Sequence, residues 1–359
     1  MLIETERLIL RPWEEADAEE CYRYAKDPNV GPMAGWQPHT DVENSRQVIR
    51  EVLMVPETYA IVLKETGLPV GSIGLHRNDL ASKEDEAELG YWIGAPYWGR
   101  GLVPEAARAL LRHAFEDLGL ARIWCGYYDG NEKSKRVQEK LGFRYQWTSE
   151  NVPVPQMGET RKGHVNLMTK EEWGKLYGKD RKFFMKSERA GFSKWSSSDL
   201  PLAWQLWGNA RVTRYISADG RFTNEQIAER LKKEIQNDAL YGVQYWPVFD
   251  LEKGGLIGCC GLRPHGEAEY EIGCHLLPGY WGKGYAAETA QAVLDYAFQT
   301  LHADKLFAGH HPDNEASRRV LEKLGFSGIG SEYYAPTGRM HPSYELKNPG
   351  VLEKAGEGR

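Results

Sequence analysis

The chain has little of what usually announces a function. Its 359 residues hold five cysteines, and Cys21, Cys125, Cys259, Cys260 and Cys274 show none of the short paired spacings that bind zinc or iron–sulfur clusters. Nor are they dense enough for a disulfide framework, so reduced thiols and a cytoplasmic location are expected. The vicinal pair Cys259-Cys260 alternates faces on a strand, which predicts one core thiol. No apolar run approaches the roughly 20 residues needed to cross a bilayer, and Met1-Leu-Ile-Glu-Thr-Glu-Arg7 lacks the basic-then-apolar order of a secretory leader. Charge of one sign is missing too. Lys and Arg total 45 against 51 Asp and Glu, a net −6 spread along the chain, which excludes an obvious nucleic-acid surface. There is no Gly-Lys-Ser/Thr phosphate loop and no Gly-x-Gly-x-x-Gly.

What is present occurs twice. Glu88-Leu-Gly-Tyr-Trp-Ile-Gly-Ala-Pro-Tyr-Trp-Gly-Arg-Gly-Leu-Val103 reads as a strand that meets a glycine-rich turn and opens a helix. Glu271-Ile-Gly-Cys-His-Leu-Leu-Pro-Gly-Tyr-Trp-Gly-Lys-Gly-Tyr-Ala286 repeats it at an offset of 271 − 88 = 183. The block Asn131 to Phe143 returns as Asn314 to Phe326, again 314 − 131 = 183 residues on. One offset over two separated blocks means a duplicated domain, since a solenoid period is far shorter. The boundaries expected are an N-terminal domain over 1–174, a charged linker over 175–186, a C-terminal domain over 187–350 and a frayed tail over 351–359. Within the turn, glycine lets the backbone approach a ligand closely. The helix that follows offers unpaired N–H groups and the positive end of its dipole. Together these suit a pyrophosphate.

The Tyr-Trp-Gly-basic-Gly turn, joined to Asn-x-x-Ser…Glu-Lys-Leu-Gly-Phe, resembles the GNAT acyltransferase superfamily, and within it the RimJ/RimL-type N-acetyltransferases. The resemblance covers nearly the whole chain as two copies. It implies an α/β (α+β) fold: two tandem GNAT domains, each a central, mostly antiparallel mixed sheet flanked by helices. The family's loop pattern, Gln/Arg-x-x-Gly-x-Gly/Ala, is met at its end by Lys283-Gly284-Tyr285-Ala286, with Trp281 where Gln or Arg is commonest. The first copy departs from the pattern at Val103, and Pro104 after it removes one potential donor.

By this resemblance acetyl-CoA is the acyl donor. Trp98, Gly99, Arg100, Gly101, Leu102 and Val103 in the first copy, and Trp281, Gly282, Lys283, Gly284, Tyr285 and Ala286 in the second, would hold its pyrophosphate. Trp92 with Ile93, and Leu276 with Leu277, would lie along the pantetheine arm where two strands splay apart. Asn131 and Asn314 would fix that arm, cap a helix, or both. Glu88 and Glu271 stand on the strand before the loop, where GNAT enzymes often carry the general base, with Glu86 and Glu269 behind them; the alternative is a solvated strand-edge carboxylate. The tyrosine that many members use as general acid is replaced by Gln138 and Leu321. This leaves Ser134 and Ser317 to protonate the departing thiolate, or simply to bond backbone at a helix start. No covalent enzyme intermediate and no metal are implied; His310-His311 points its two rings to opposite faces of a strand.

The expected activity is transfer of an acetyl group from acetyl-CoA to a primary amine by direct attack. The second copy, with the more regular loop, is favoured for it. Two alternatives stay open: one catalytic copy beside a degenerate acyl-CoA-binding, substrate-recognition or structural domain, and a non-catalytic acyl-CoA sensor. The acceptor is an amine-bearing small molecule or a protein N-terminus; nucleic acid and membrane are not expected, and the oligomeric state is open.

Overall fold

Two eight-stranded sheets, one per copy, have the same strand order in the computed structural model, which describes residues 1–178 and 180–349. The expected frayed tail, 351–359, lies outside the described residues. Internal contacts divide the chain between Trp173 and Gly174. No described helix is long and apolar enough to cross a membrane.

The first unit contains β1 (Ile3–Glu4), β2 (Leu8–Pro12), α1 (Ala18–Ala25), α2 (Gly31–Ala34), α3 (Val42–Val48), β3 (Thr58–Leu63), β4 (Pro69–His76) and β5 (Glu86–Ile93). Then come α4 (Leu102–Arg112), β6 (Arg122–Tyr128), α5 (Glu132–Leu141), β7 (Arg144–Val154), β8 (Glu159–Thr169) and α6 (Lys170–Tyr177), in which the division falls. The sheet runs β1-β2-β3-β4-β5-β6-β8-β7. Strand β3 is buried along its whole length, because helices cover both faces of the central strands. Each fully buried Leu or Ile there contributes about 2 kcal/mol. Helix α1 is set by a capping box between Glu14 and Asp17 just before it. Arg11 grips the same Asp17 through two bonds of 2.7 Å.

The second unit contains β9 (Met185–Lys186), β10 (Ala190–Phe192), α7 (Leu200–Trp207), α8 (Ala210–Thr213), α9 (Asn224–Tyr241), β11 (Tyr245–Asp250), β12 (Leu256–Gly266) and β13 (Glu269–Leu276). It ends with α10 (Tyr285–Gln299), β14 (Lys305–Gly309), α11 (Glu315–Lys323), β15 (Ser327–Tyr334) and β16 (Arg339–Lys347). Its order, β9-β10-β11-β12-β13-β14-β16-β15, copies the first. Cys259 and Cys260 are both fully buried, not one of them, because β12 is central and covered on both faces.

Each sheet has one parallel pair, and that pair makes the site. Strands β5 and β6 are in register only at Glu86–Arg122, Ala87–Ile123 and Glu88–Trp124, although β5 continues to Ile93 and β6 to Tyr128. Strands β13 and β14 pair only at Glu269–Lys305, Tyr270–Leu306 and Glu271–Phe307. Beyond Glu88 and beyond Glu271 the two strands part, which leaves strand backbone without a sheet partner.

Candidate active sites

The turn after each fork is shaped by glycines whose φ angles other residues rarely adopt: Gly99 and Gly101 at +72°, Gly282 at +71° and Gly284 at +85°. Gly101 and Gly284 are the N-caps of α4 and α10. Among the described residues, the amides of Gly99, Arg100, Gly101, Leu102 and Val103 find no acceptor, and neither do those of Gly282, Lys283, Gly284, Tyr285, Ala286 and Ala287. Orphan donors at a helix N-terminus are an anion site, and this donor set fits a pyrophosphate. Pro104 is why the first row is one amide shorter than the second.

The same four-point clamp holds both turns. Arg7 on the opening segment donates Nε to Glu105 Oε2 at 2.7 Å and one terminal nitrogen to the Arg100 carbonyl at 2.9 Å. Glu105 also accepts from the Arg7 amide at 2.8 Å and the Thr5 hydroxyl at 2.6 Å. In the second copy Arg189 bonds Glu288 (2.7 Å) and the Lys283 carbonyl (3.2 Å), while the Arg189 amide (2.8 Å) and the Ser187 hydroxyl (2.7 Å) complete the set. The clamp turns a loop carbonyl toward the arginine and neutralises a carboxylate that stands in the first turn of the helix. Sequence reading missed it, although Thr5, Arg7 and Glu105 recur as Ser187, Arg189 and Glu288.

The loop tryptophans are each tied back to the end of the preceding strand. Trp98 Nε1 donates to the Ile93 carbonyl at 3.0 Å, and Trp281 Nε1 to the Leu276 carbonyl at 2.7 Å. The constant offset therefore aligns Ile93 with Leu276 and Trp92 with His275. Leu277 is the counterpart of Gly94, one step beyond the strand. Trp92 packs against Trp13 and Trp36, with ring centroids 6.3 and 5.8 Å apart. Asn131 caps α5 by accepting from the Ser134 amide at 3.1 Å, and it also donates to the Met33 carbonyl at 3.2 Å. Asn314 caps α11 through the Ser317 amide at 3.3 Å.

The candidate catalytic groups differ between the copies. Glu88 sits at the first fork, half-buried and bonded by the Asn78 side chain. Burial pushes its pKa above the ordinary glutamate value, against the pull of Asn78 and the Gly126 amide. Glu86, by contrast, is held by Arg122 at 3.1 Å and Trp124 Nε1 at 2.9 Å. Although burial acts to raise its pKa, these partners and Lys83 keep it low. Ser134 lies with its hydroxyl 2.9 Å from that of Tyr91 and accepts from Gln138 Nε2 at 3.2 Å. Gln138 is itself buried and fixed by Asn166 at 2.6 Å. Tyr91 was not singled out from sequence; its phenol is pushed well above the ordinary tyrosine value by burial and stays protonated.

In the second copy Glu271 is directly opposite Arg263 across β12 and β13. Arg263 is paired with the fully buried Glu234 and lies 4.1 Å from the centre of the Tyr245 ring. That ring covers Gly273: an added Cβ there would lie 2.2 Å from it. Ser317 has Leu321 and Cys274 where Ser134 has Gln138 and Tyr91. Glu269 is bonded to Lys305 at 3.1 Å. Two of the histidines have structural contacts: His113 is buried between Asp117 (2.8 Å) and Glu57 (3.2 Å), and His310 bonds the His311 carbonyl at 2.8 Å. Among the described residues no group of three or more metal-ligating side chains assembles.

A sheet forked beside a helix-capped anion loop has the form of a site for an extended, phosphorylated ligand, and here it is built twice. The acetyltransferase (GNAT) domain profile matches residues 7–144 and 189–327, and the chain belongs to that family of acetyltransferase enzymes, whose donor is acetyl-CoA. Among its relatives is an uncharacterized N-acetyltransferase, p20, of Bacillus licheniformis, 32% identical over 145 residues, or 39% of this chain and 80% of that one. Another is the FsC-acetyl coenzyme A-N(2)-transacetylase of Aspergillus fumigatus, 33% identical over 100 residues, 27% of this chain and 41% of that one. A solved GNAT-family acetyltransferase from Bacillus anthracis is 27% identical, with a TM-score of 0.44, and covers 48% of this chain and 100% of its own.

Proposed function

We propose that the chain is an amine N-acetyltransferase whose first domain carries out the transfer and whose second domain binds acetyl-CoA without turning it over. The observation that carries this reading is the state of the fork carboxylate. Glu88 is a half-buried carboxylate with a raised pKa and no cation bonded to it, whereas Glu271 faces Arg263. Raising the pKa of a carboxylate makes it the stronger proton acceptor. The loop glycines favoured the second copy; the surroundings of the two carboxylates favour the first.

Acetyl-CoA supplies a thioester whose carbonyl carbon an amine attacks directly. The loop amides Gly99 to Val103 hold the donor's phosphates, and the unpaired edges of β5 and β6 bind its arm. Glu88 accepts a proton from the amine. Ser134, with its hydroxyl oriented by Tyr91 and Gln138, supplies one to the departing sulfur. Direct attack is favoured over a cysteine intermediate: Cys125 Sγ is directed at the Leu89 carbonyl, and burial, with the charge of Glu88 adding to it, pushes its pKa well up, so it stays a thiol. The acceptor is an amine-bearing small molecule or a protein N-terminus; acetyl transfer to nitrogen accords with the names of the relatives.

The test is calorimetric titration of acetyl-CoA into wild type, Gly101→Glu and Gly284→Glu, paired with thiol release over a panel of primary amines and peptides. Two binding sites, with turnover lost in Gly101→Glu and Glu88→Gln and kept in Gly284→Glu and Glu271→Gln, are expected. Turnover that follows Gly284 and Glu271 instead would assign catalysis to the second domain. Binding without turnover of any amine would make the chain a sensor.

A further inference from the structure

His76 ends β4 directly opposite Glu88, so both side chains rise from the same face of the sheet. The next pair on that face toward the loop is Gly74 opposite Gly90, and the imidazole lies over it. A Cβ added at Gly74 would be 3.0 Å from His76 Nε2, and one added at Gly90 would be 3.3 Å from it. Two glycines thus open the space that the ring fills, one step beyond the point where β5 and β6 part. Among the described residues neither ring nitrogen has a hydrogen-bond partner. Burial alone pushes its pKa below the ordinary histidine value, so the ring is neutral at neutral pH.

The second domain shows what a blocked version looks like. Arg263 takes the place of His76 and is tied to Glu234, while the Tyr245 ring covers Gly273, the glycine that matches Gly90. In the first domain the residue matching Tyr245 is Thr58, opposite Gly74, and its short side chain shares that face with the imidazole.

We propose that His76 is a second proton acceptor for the substrate amine, working beside Glu88 over the opening of the fork. This rests on the reading that the first domain is catalytic. An amine that arrives as an ammonium ion carries three protons, and the amide product keeps one. Glu88 takes the first of the other two before attack and releases it to solvent. Nε2 of His76 takes the second as the C–N bond forms and the C–S bond breaks. The sulfur gains a proton from Ser134, so one proton is released overall, and His76 and Ser134 return to their starting states by exchange with water.

The experiment compares wild type, His76→Ala, His76→Gln and Glu88→Gln, using acetyl-CoA and the panel amine with the fastest thiol release. For both His76 variants kcat should fall about 10²-fold, the lower end for a lost general base, with the KM for acetyl-CoA within about twofold of wild type. Added imidazole should restore part of the activity of His76→Ala, which a purely structural role would not allow. Variants within about twofold of wild type, or a deficit that imidazole leaves unchanged, would overturn the proposal while Glu88→Gln remains impaired. If Glu88→Gln and both His76 variants keep full turnover and Glu271→Gln loses it, the underlying assignment to the first domain fails, and this proposal with it.

Discussion

The hydroxyls of Tyr91 and Ser134 lie 2.9 Å apart, joining the strand at the fork to the first turn of α5. Gln138 approaches the same serine from one helical turn on, at 3.2 Å. A serine held on two sides has one orientation, and a fixed donor is worth more than a rotating one. Ser134→Ala should therefore lower kcat about 10²-fold. Tyr91→Phe, which leaves the serine in place but loosens it, should cost roughly tenfold, with the KM for acetyl-CoA unchanged in both. Ser317→Ala, with Leu321 and Cys274 around it, should leave turnover as it was. Steady-state kinetics over the three variants decides this, and equal losses in Ser134→Ala and Ser317→Ala would deny the difference between the copies.

Glu88 ties activity and stability to pH in opposite senses. Its folded pKa is raised by burial, so folding favours the protonated form. The resulting stability cost begins as pH rises through the unfolded glutamate value and is complete above the folded one. Glu88→Gln removes that cost. Its thermal midpoint should exceed that of wild type at neutral pH, and the two should converge at about pH 4 or below, near the unfolded value. Activity runs the other way. In wild type kcat/KM should fall on the acid side at a pH above the ordinary glutamate range, and the variant should lose both that limb and about 10²-fold in rate. Calorimetric melting and a pH–rate profile on the same preparations measure both effects.

How much of this was legible depended on the range of the interactions. The anion loops were readable because a left-handed glycine cap followed by a helix is a local event, written in five or six consecutive residues. The duplication, with the fold it implied, was readable because one offset connects distant blocks. The partners of the catalytic candidates were not readable. Tyr91 reaches Ser134 across 43 positions and Arg7 reaches Glu105 across 98, and such meetings depend on register that no local pattern records.

Arg181, in the charged stretch between the two repeated blocks, is an internal support of the second unit. It forms bonds of 2.6 and 2.8 Å to the two oxygens of Asp199, with both side chains almost fully buried. It also bonds Ser193 Oγ at 3.1 Å and lies 4.5 Å from the centre of the Phe249 ring. Removing one partner leaves the other charge buried and uncompensated, which costs about 3–5 kcal/mol. Arg181→Met should therefore unfold the second unit at markedly lower denaturant, with Arg181→Met/Asp199→Asn less destabilised than the single variant. Denaturation followed by calorimetry, where each unit contributes its own transition, measures it. Strict additivity of the two substitutions would show that the pair is not coupled.

The duplicated clamp gives each anion loop an internal control. Arg7 and Arg189 both bond the carbonyl of the basic loop residue and both cancel a glutamate in the first turn of the helix. Without the arginine that carboxylate stands uncompensated where the donor's phosphates must bind, and the freed carbonyl can rotate toward the ligand. Arg7→Met should weaken acetyl-CoA binding at the first site by about tenfold, equivalent to about 1.4 kcal/mol, and leave the second site untouched. Arg189→Met should do the reverse. Adding Glu105→Gln to Arg7→Met removes the uncompensated charge but not the loss of the carbonyl anchor. Binding restored to wild type in that double variant would mean that the arginine acts only by neutralisation; partial recovery, the result expected, would mean that it also shapes the loop. Two-site calorimetric titration separates these outcomes, and an Arg7→Met protein whose first site binds as tightly as wild type would remove the clamp from donor binding altogether.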